Sequence, residues 1–177
     1  MKTRFLFLSL VFFITTSCSP NQNLDESSTT EGYAELFDNK YNAVNLNNQI
    51  SSIQKAALVL VDSVFKTSNK LISKNVDEAI FELDISINRL KELSETDSIS
   101  KYFSSAVINL LQFYKFEFEN DFRKLIPILE KNELSVTNRT LLHSYDKKFV
   151  DKEEDLFNEI IVRQDSFAKY FDIELKE

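Results

Sequence analysis

Apolar residues recur at helical spacing along most of the chain after residue 31. In the first segment they alternate steps of three and four residues, and this seam consists of Leu46, Ile50, Ile53, Ala57, Leu60 and Val64. Three further segments carry similar seams, within Val76–Leu90, Phe103–Phe122 and Leu142–Tyr170. Because an apolar stripe of this period must be buried against another one, the pattern predicts four amphipathic helices.

Breaks in the apolar pattern indicate the ends of the first two helices. The first helix is predicted from near Gly32 to Lys66, after which polar residues interrupt the seam. Asn75 is followed three residues later by Glu78, an arrangement similar to a capping box with an amide as the cap. The second helix is therefore predicted to begin after Asn75 and to end near Glu95.

The third and fourth helices have capping signals of the same kind. Asp97 or Ser98 can cap the third helix, and Ser135 or Thr137 can cap the fourth, because each side chain can accept a bond from a free backbone N–H. Pro127 lacks an N–H, so it is predicted to kink or stop the third helix at about residues 123–126.

Short connectors between successive helices favour antiparallel neighbours. The sequence therefore predicts an all-α fold, an antiparallel up-down-up-down four-helix bundle over residues 31–177. The heptads leave an extended coiled-coil dimer open as an alternative, but three breaks in the pattern favour the closed bundle.

The composition agrees with a helical protein. Among 177 residues there are one Gly and two Pro, and 43% of the residues are hydrophobic and 28% charged. So few turn residues exclude most sandwiches, small barrels and doubly wound sheets with glycine-rich nucleotide loops. The loops are expected to turn on Asn, Ser, Asp and Thr instead.

The beginning of the chain has the layout of a secretory signal peptide. Lys2 and Arg4 precede an apolar run over residues 5–14, and small polar residues follow it. The run is about half of the ~20 residues that a membrane-spanning helix needs. Residues 1–17 are therefore predicted to be a signal peptide rather than a permanent transmembrane anchor.

Cys18, the only cysteine, ends this region in an arrangement that resembles the lipobox of bacterial lipoproteins. The resemblance implies that the Cys18 sulfur receives diacylglycerol, that the signal is cut before Cys18, and that an acyl chain such as palmitate is often added to the new amino group. Thr15 departs from the family, which usually has Leu there. Ser19 after the cysteine implies the outer membrane, at its periplasmic face or at the cell surface. Plain secretion is the alternative.

Residues 18–30 are predicted to be a flexible, lipid-anchored tether, because Leu24 is their only large apolar residue. Cleavage before Cys18 takes Lys2 and Arg4 from the 21 basic residues and nothing from the 28 acidic ones, so the net charge falls from −7 to −9. An acidic surface disfavours nucleic acid and direct adsorption to anionic lipid. Membrane attachment is therefore expected through the lipid on Cys18.

The chain offers little for catalysis or metal binding. A ferritin-type di-iron site needs two Glu-x-x-His pairs, whereas the single histidine, His143, has Thr140 three residues before it. The sequence lacks Cys-x-x-Cys-His, Gly-x-Ser-x-Gly and phosphate-loop motifs. The acidic runs at residues 117–121 and 151–155 are expected to be solvated, since carboxylates along a rigid helix converge poorly on a cation. We predict no catalytic residue, no metal and no cofactor, and the protein is expected not to be an enzyme.

Residues 41–49 form an amide-rich segment. Asn42, Asn45 and Gln49 share one stripe beside the apolar seam, and Tyr41 precedes them. The simpler interpretation is a polar bundle end with a local kink. The other is a ligand-binding site in which Tyr41, Asn42, Asn45 and Gln49 contact a small molecule, or an amide network across helices.

The third helix carries an aromatic side chain that is out of phase with its seam. Phe116 points nearly opposite to the predicted apolar face, and Tyr102 and Phe113 lie at the edge nearest to it. These three residues are a candidate partner-binding patch. Cover by another helix or by the tether is the alternative, and burial of Phe116 would exclude the patch.

Two stretches, Tyr41 to Ile50 and Gln164 to Phe171, resemble a group of uncharacterised surface lipoproteins of Gram-negative bacteria. The resemblance implies a small, helical, lipid-anchored protein and supplies no catalytic residues. The sequence thus predicts a non-enzymatic cell-envelope lipoprotein that acts by binding an unidentified envelope protein. A small-ligand-binding or sensory helical bundle that uses residues 41–49 is the alternative.

Overall fold

The computed structural model describes residues 17–19, 30–67, 71–94, 97–131 and 135–176, with side chains between residues 39 and 175 of these ranges. The fold is all-α, and the described residues form five helices and one short pair of strands. The elements are β1 (Ser17–Ser19), α1 (Thr30–Lys66), α2 (Ile72–Leu93), α3 (Ser98–Glu119), α4 (Asp121–Lys131), α5 (Val136–Phe171) and β2 (Glu174–Lys176). The predicted signal peptide before Ser17 and most of the predicted tether lie outside the described residues.

Two predicted helix caps are confirmed. The Asp97 carboxylate accepts a bond of 2.7 Å from the Ser100 backbone N–H at the start of α3. The Ser135 hydroxyl accepts one of 3.1 Å from the Asn138 backbone N–H at the start of α5. Both satisfy a backbone donor that the first helical turn leaves free.

The predicted cap of the second helix is wrong. Helix α2 already begins at Ile72, so Asn75 lies inside it rather than before it. The Asn75 side-chain amide donates a bond of 2.6 Å to the Thr67 hydroxyl just after α1. Instead of capping its own helix, the amide joins α2 to the end of the preceding one.

The predicted third helix is broken at a different residue from the one expected. Helix α4 continues through Pro127 to Lys131, and the break lies at Asn120, between α3 and α4. The backbone of Asn120 departs from helical values, with φ −117° and ψ −81°. Its backbone N–H and its side-chain amide both donate to the Phe116 carbonyl, over 3.1 and 2.8 Å, which ends α3 at this residue. Pro127 is exposed, and its missing N–H removes one helical bond without ending the helix.

The apolar seams meet in one core. Most of the seam residues predicted for α1 are buried, whereas Leu46 and Leu60 are half-buried at its edge. At one end of the core the Phe65 ring of α1 lies 5.2 Å from Phe122 and 5.5 Å from Phe149 between ring centroids. Towards the other end Phe103 and Phe167 are 5.4 Å apart. Aromatic pairs at these distances stabilise a core beyond the area they bury.

Helix α5 ends at a residue that replaces the usual glycine. Asp172 has a positive φ of 52°, and the Ile173 N–H bonds to the Ala168 carbonyl over 3.0 Å, which closes the helix end. An aspartate tolerates this conformation better than most non-glycine residues. The chain thus turns on an aspartate here, as its shortage of glycine predicts.

Candidate functional site

The amide-rich segment lies on α1 near the end that contacts the tip of α5. Tyr41, Asn42 and Gln49 are exposed there, and Asn45 is half-buried. The Lys40 ammonium beside them forms an ion pair with the Asp172 carboxylate. The structure therefore places the four predicted ligand-binding residues on the outside of one helix, and their role stays a prediction.

The amide that reaches the core is Asn47. It is fully buried, and its side-chain oxygen accepts a bond of 2.8 Å from the Gln164 amide of α5. Two buried amides that bond to each other hold two helices in a fixed register. Gln164 lies on the apolar seam of its helix, between Ile160 and Phe167, and a polar residue at a seam position is the signal that could have found this pair.

The three aromatic residues predicted as a partner-binding patch have different environments in the structure. Phe116 points outward and is 57% exposed, so the condition that would have excluded the patch is not met. Phe113 is half-buried, and its ring packs 5.1 Å from Phe149 of α5. Tyr102 is exposed, but α5 supplies a partner to its ring.

That partner is Arg163, whose guanidinium carbon lies 4.4 Å from the centre of the Tyr102 ring. The guanidinium also donates bonds of 2.9 Å to the Tyr102 carbonyl and 2.6 Å to the Ser105 hydroxyl, and it forms an ion pair with Glu159. An arginine over an aromatic face is attracted by the ring, and here it joins α5 to α3. Tyr102 therefore has a structural partner, which leaves Phe116 as the most outward of the three.

Two outward apolar residues on α2 were missed by the sequence prediction. Phe81 is 64% exposed, and Ile85, one turn further along, is exposed as well. Between α2 and α3 the Lys115 ammonium binds the Asp84 carboxylate at 2.7 Å, which ties together the helices that carry Phe81 and Phe116. A spacing of four residues on the face opposite the buried seam is the signal that could have found the α2 pair.

A second group of polar residues lies inside the contact between α3 and α5. The Tyr114 hydroxyl donates a bond of 2.6 Å to the Glu153 carboxylate. Burial, and next the negative charge of Glu153, raise the pKa of Tyr114 well above its ordinary value. Burial also raises the pKa of Glu153, although the bond from Tyr114 acts in the opposite direction. The pair is a charge-assisted hydrogen bond with little access to water.

Glu117, one turn after Tyr114, is buried and only 4% exposed, which corrects the expectation that its acidic run is solvated. Its Oε2 atom and the Tyr145 hydroxyl of α5 are both buried without a hydrogen-bond partner among the described residues. Burial raises the pKa of Glu117, and the positive charge of Lys148 lowers it in part. Burial, and next the charge of Glu117, raise the pKa of Tyr145. The two groups thus act on each other electrostatically although no bond of normal geometry joins them.

The single histidine is exposed on α5, and its charge lowers the pKa of Asp146, which burial raises more strongly. Within the described ranges, no three His, Cys, Asp or Glu side chains are grouped so that they could hold a metal ion. The predicted lipidation residue, Cys18, lies in β1, where its backbone pairs with Leu175 of β2. Its side chain is outside the described part.

Among the helices of the described residues, none has both the length and the apolar character needed to cross a membrane. Comparison of the chain with protein-family models, with curated proteins and with solved structures gives no match.

Proposed function

We propose that the protein is a non-enzymatic lipoprotein of the cell envelope, anchored to the outer membrane through Cys18, whose helical domain binds another envelope protein. The lipobox-like sequence that ends at Cys18 supports the anchor. The observation that carries the binding role is the outward position of Phe116, with 57% of its surface exposed in a domain that buries, fully or in part, most of its other aromatic rings. Large exposed aromatic side chains are the residues that most often anchor protein–protein contacts.

We further propose that the scaffold is an up-down-up-down four-helix bundle in which α3 and α4 together form the third leg. Contacts between residues distant in sequence support antiparallel neighbours. Asp84 and Asp77 of α2 bind Lys115 of α3 and Arg123 of α4, respectively. Helices α3 and α5 also run in opposite directions. Phe103, near the start of α3, contacts Phe167 near the end of α5, whereas Tyr114, later in α3, contacts Glu153 earlier in α5.

The same reasoning supports an antiparallel arrangement of the first and last helices. Lys40 pairs with Asp172, Asn47 with Gln164, and Phe65 packs against Phe149, so the α1 residue number rises while its partner's number falls. Helix α1 also packs against α2, and α2 against α3. A closed bundle of this kind presents its outer helix faces to a partner.

The proposed binding surface consists of Phe116 on α3 and Phe81 and Ile85 on α2. All three side chains point away from the core, and the ion pair between Lys115 and Asp84 holds the two helices together beside them. A small number of apolar anchors surrounded by charged residues is the usual composition of an interface centre and its rim. The partner would then bind across two neighbouring helices rather than at one helix alone.

A site-specific photo-crosslinker tests the binding role in intact cells. The photoreactive residue replaces Phe116 in one variant and Val136, which is 82% exposed at the start of α5, in a matched control. We expect a discrete crosslinked species from position 116 that is absent from position 136, and we expect it to disappear when Phe81 is also replaced by Ser. Equal crosslinking from both positions, or none from either, would contradict the proposed surface.

Acylation of Cys18 is tested separately. Labelled fatty acid is expected to enter the wild-type chain and not the Cys18→Ala variant, because only the thiol of Cys18 can receive the diacylglycerol. The mature chain should begin at Cys18 by mass spectrometry. Equal labelling of both chains, or no labelling of either, would overturn the proposed anchor. The crosslinking result would still test the binding surface independently.

A further inference from the structure

The tyrosines with described side chains fall into two groups. Tyr114 and Tyr145 are buried between α3 and α5, whereas Tyr41, Tyr102 and Tyr170 are exposed. Tyr170 is 70% exposed, the largest exposure among them. A tyrosine combines an apolar ring with a polar hydroxyl, so an exposed one is suited to a boundary between water and an apolar phase.

Two of the exposed tyrosines lie near each other towards one end of the domain, Tyr41 about three turns after the start of α1 at Thr30 and Tyr170 next to the end of α5 at Phe171. Tyr41 follows Lys40, and the Lys40 ammonium pairs with Asp172, two residues beyond Tyr170. The Tyr170 ring packs 4.9 Å from Phe171, which in turn packs 4.9 Å from the buried Phe167. The ring of Tyr170 therefore projects from an aromatic group that is fixed in the core.

The same end holds the residue that is predicted to be lipidated. In β1 the backbone of Cys18 pairs with Leu175, and Ser19 pairs with Glu174, only a few residues after Tyr170. Strand β1 also packs against α1, the helix that carries Tyr41. Cleavage before Cys18 would remove Ser17 and leave Cys18 and Ser19 beside β2.

The charges at this end are mixed. Lys40 pairs with Asp172, and Lys169 lies 3.5 Å from Asp165. Lysine side chains can extend along a membrane surface with their ammonium groups in water. The exposed acidic residue Glu174 lies near the same end and disfavours an anionic lipid. Cleavage of the predicted signal peptide takes the net charge from −7 to −9, which disfavours an anionic surface, so a zwitterionic phospholipid is the surface that fits.

We propose that Tyr41 and Tyr170 form a contact surface for the zwitterionic phospholipid headgroup layer into which the acyl chains on Cys18 insert. This inference rests on the lipidation proposed above. Tyrosine is enriched at the headgroup depth of membranes, where its ring and its hydroxyl are both satisfied. The bundle would then contact the membrane in a defined orientation, with the surface around Tyr41 and Tyr170 towards the lipid.

The anchor makes a weak surface contact effective. Two exposed tyrosines bind a bilayer too weakly to hold a free protein, but a covalent lipid a short distance away converts their contact into an intramolecular one. The contact is therefore expected in the acylated chain and not in a Cys18→Ala chain. This dependence on acylation distinguishes the proposed contact from nonspecific adsorption of the domain to lipid.

Fluorescence from single tryptophans tests the contact, because the chain contains no native Trp. Full-length acylated protein with Tyr170→Trp or Tyr41→Trp is reconstituted into phosphatidylcholine vesicles that contain a lipid brominated near the headgroup. Val136→Trp is the matched control, since Val136 is 82% exposed and lies about 50 Å along α5 from Tyr170. All three positions are exposed, so the variants should keep the helical circular-dichroism spectrum of the wild type.

We expect the bromolipid to lower the emission of the tryptophan probes at positions 170 and 41 by about twofold or more, because these rings reach headgroup depth. The emission of the probe at position 136 should change little. In a Cys18→Ala background all three probes should be unquenched. Equal quenching of the probes at 170, 41 and 136 in the acylated chain, or none at 170 and 41, would overturn the contact surface alone. Absence of acyl mass on Cys18 would instead overturn both the anchor and the contact.

Discussion

The carboxyl group of Glu117 gives the sharpest prediction, because it is buried without full compensation. Replacing it by Gln keeps the size of the side chain and removes the charge. Among the described residues, no hydrogen bond of normal geometry reaches Oε2 of Glu117 or the Tyr145 hydroxyl, although Tyr145 is close enough to offset part of the rise that burial causes in the Glu117 pKa. An unpaired buried polar atom costs about 1–3 kcal/mol, and a charged group costs more than the neutral amide of Gln. The attraction of Lys148 offsets part of this cost. We therefore expect Glu117→Gln to raise the free energy of unfolding by about 1 kcal/mol at pH 8.

The pH dependence has a definite sign. Burial raises the pKa of Glu117 in the folded chain, so the folded state takes up its proton at a higher pH than the unfolded state does. Ionised Glu117 thus lowers stability above its folded pKa, and this cost disappears as the pH falls towards the unfolded value of about 4.3. The difference between Glu117→Gln and the wild type should be largest at pH 8 and should shrink steadily on acidification.

Thermal unfolding followed by circular dichroism between pH 5 and pH 8 measures this difference, and about 1 kcal/mol corresponds to roughly 2–4 °C in a domain of this size. Glu119→Gln is the matched control, because Glu119 is exposed on the same helix and lies 3.6 Å from Lys115. A Glu117→Gln variant that is less stable than the wild type at pH 8, or whose difference does not depend on pH, would refute the reasoning.

Three further predictions concern pairs described above and are checked by urea unfolding. Tyr114→Phe should lower the free energy of unfolding by about 1–3 kcal/mol, because it removes a hydrogen-bond donor to the half-buried Glu153 carboxylate, and Glu153→Gln in that background should restore part of the loss. Asn47→Ala should cost about 1–3 kcal/mol by removing the acceptor of the Gln164 amide, and a double-mutant cycle with Gln164→Ala should show coupling well above zero. Asp97→Ala should cost about 0.5–2 kcal/mol through loss of the α3 cap. A negligible loss of stability in any of the three cases, or additive effects of Asn47→Ala and Gln164→Ala, would contradict the assigned contact.

The helices could be predicted from the sequence because their signals are local. The apolar period, the Asp97 and Ser135 caps and the lack of glycine each act over a few residues, and the structure has helices where they indicate them. The break at Asn120 could not be predicted in the same way. Its side-chain amide and its backbone N–H both bond to the Phe116 carbonyl, an arrangement that the residue pattern does not reveal. The sequence alone gives Pro127 the stronger signal of a break.

The candidate site depends on contacts between distant residues, which a sequence pattern does not specify. Asn47 lies among several amide side chains, and the sequence does not specify that it is the one that meets Gln164 of α5. In the sequence Glu117 belongs to a charged run, but its position on the helix places it on the buried face beside Tyr145. The outward direction of Phe116 could be predicted correctly, because it depends on the phase of one helix alone.

The Phe65 ring has a consequence for how the chain folds. It contacts Phe118 of α3, Phe122 of α4 and Phe149 of α5, all of them more than fifty residues further along the chain. Closing such long loops costs entropy before the contacts are gained, so this aromatic junction should form late, after the local helical pairs. Once formed, it makes the first helix a required partner of the last three, and the domain should gain or lose its structure there as one cooperative unit.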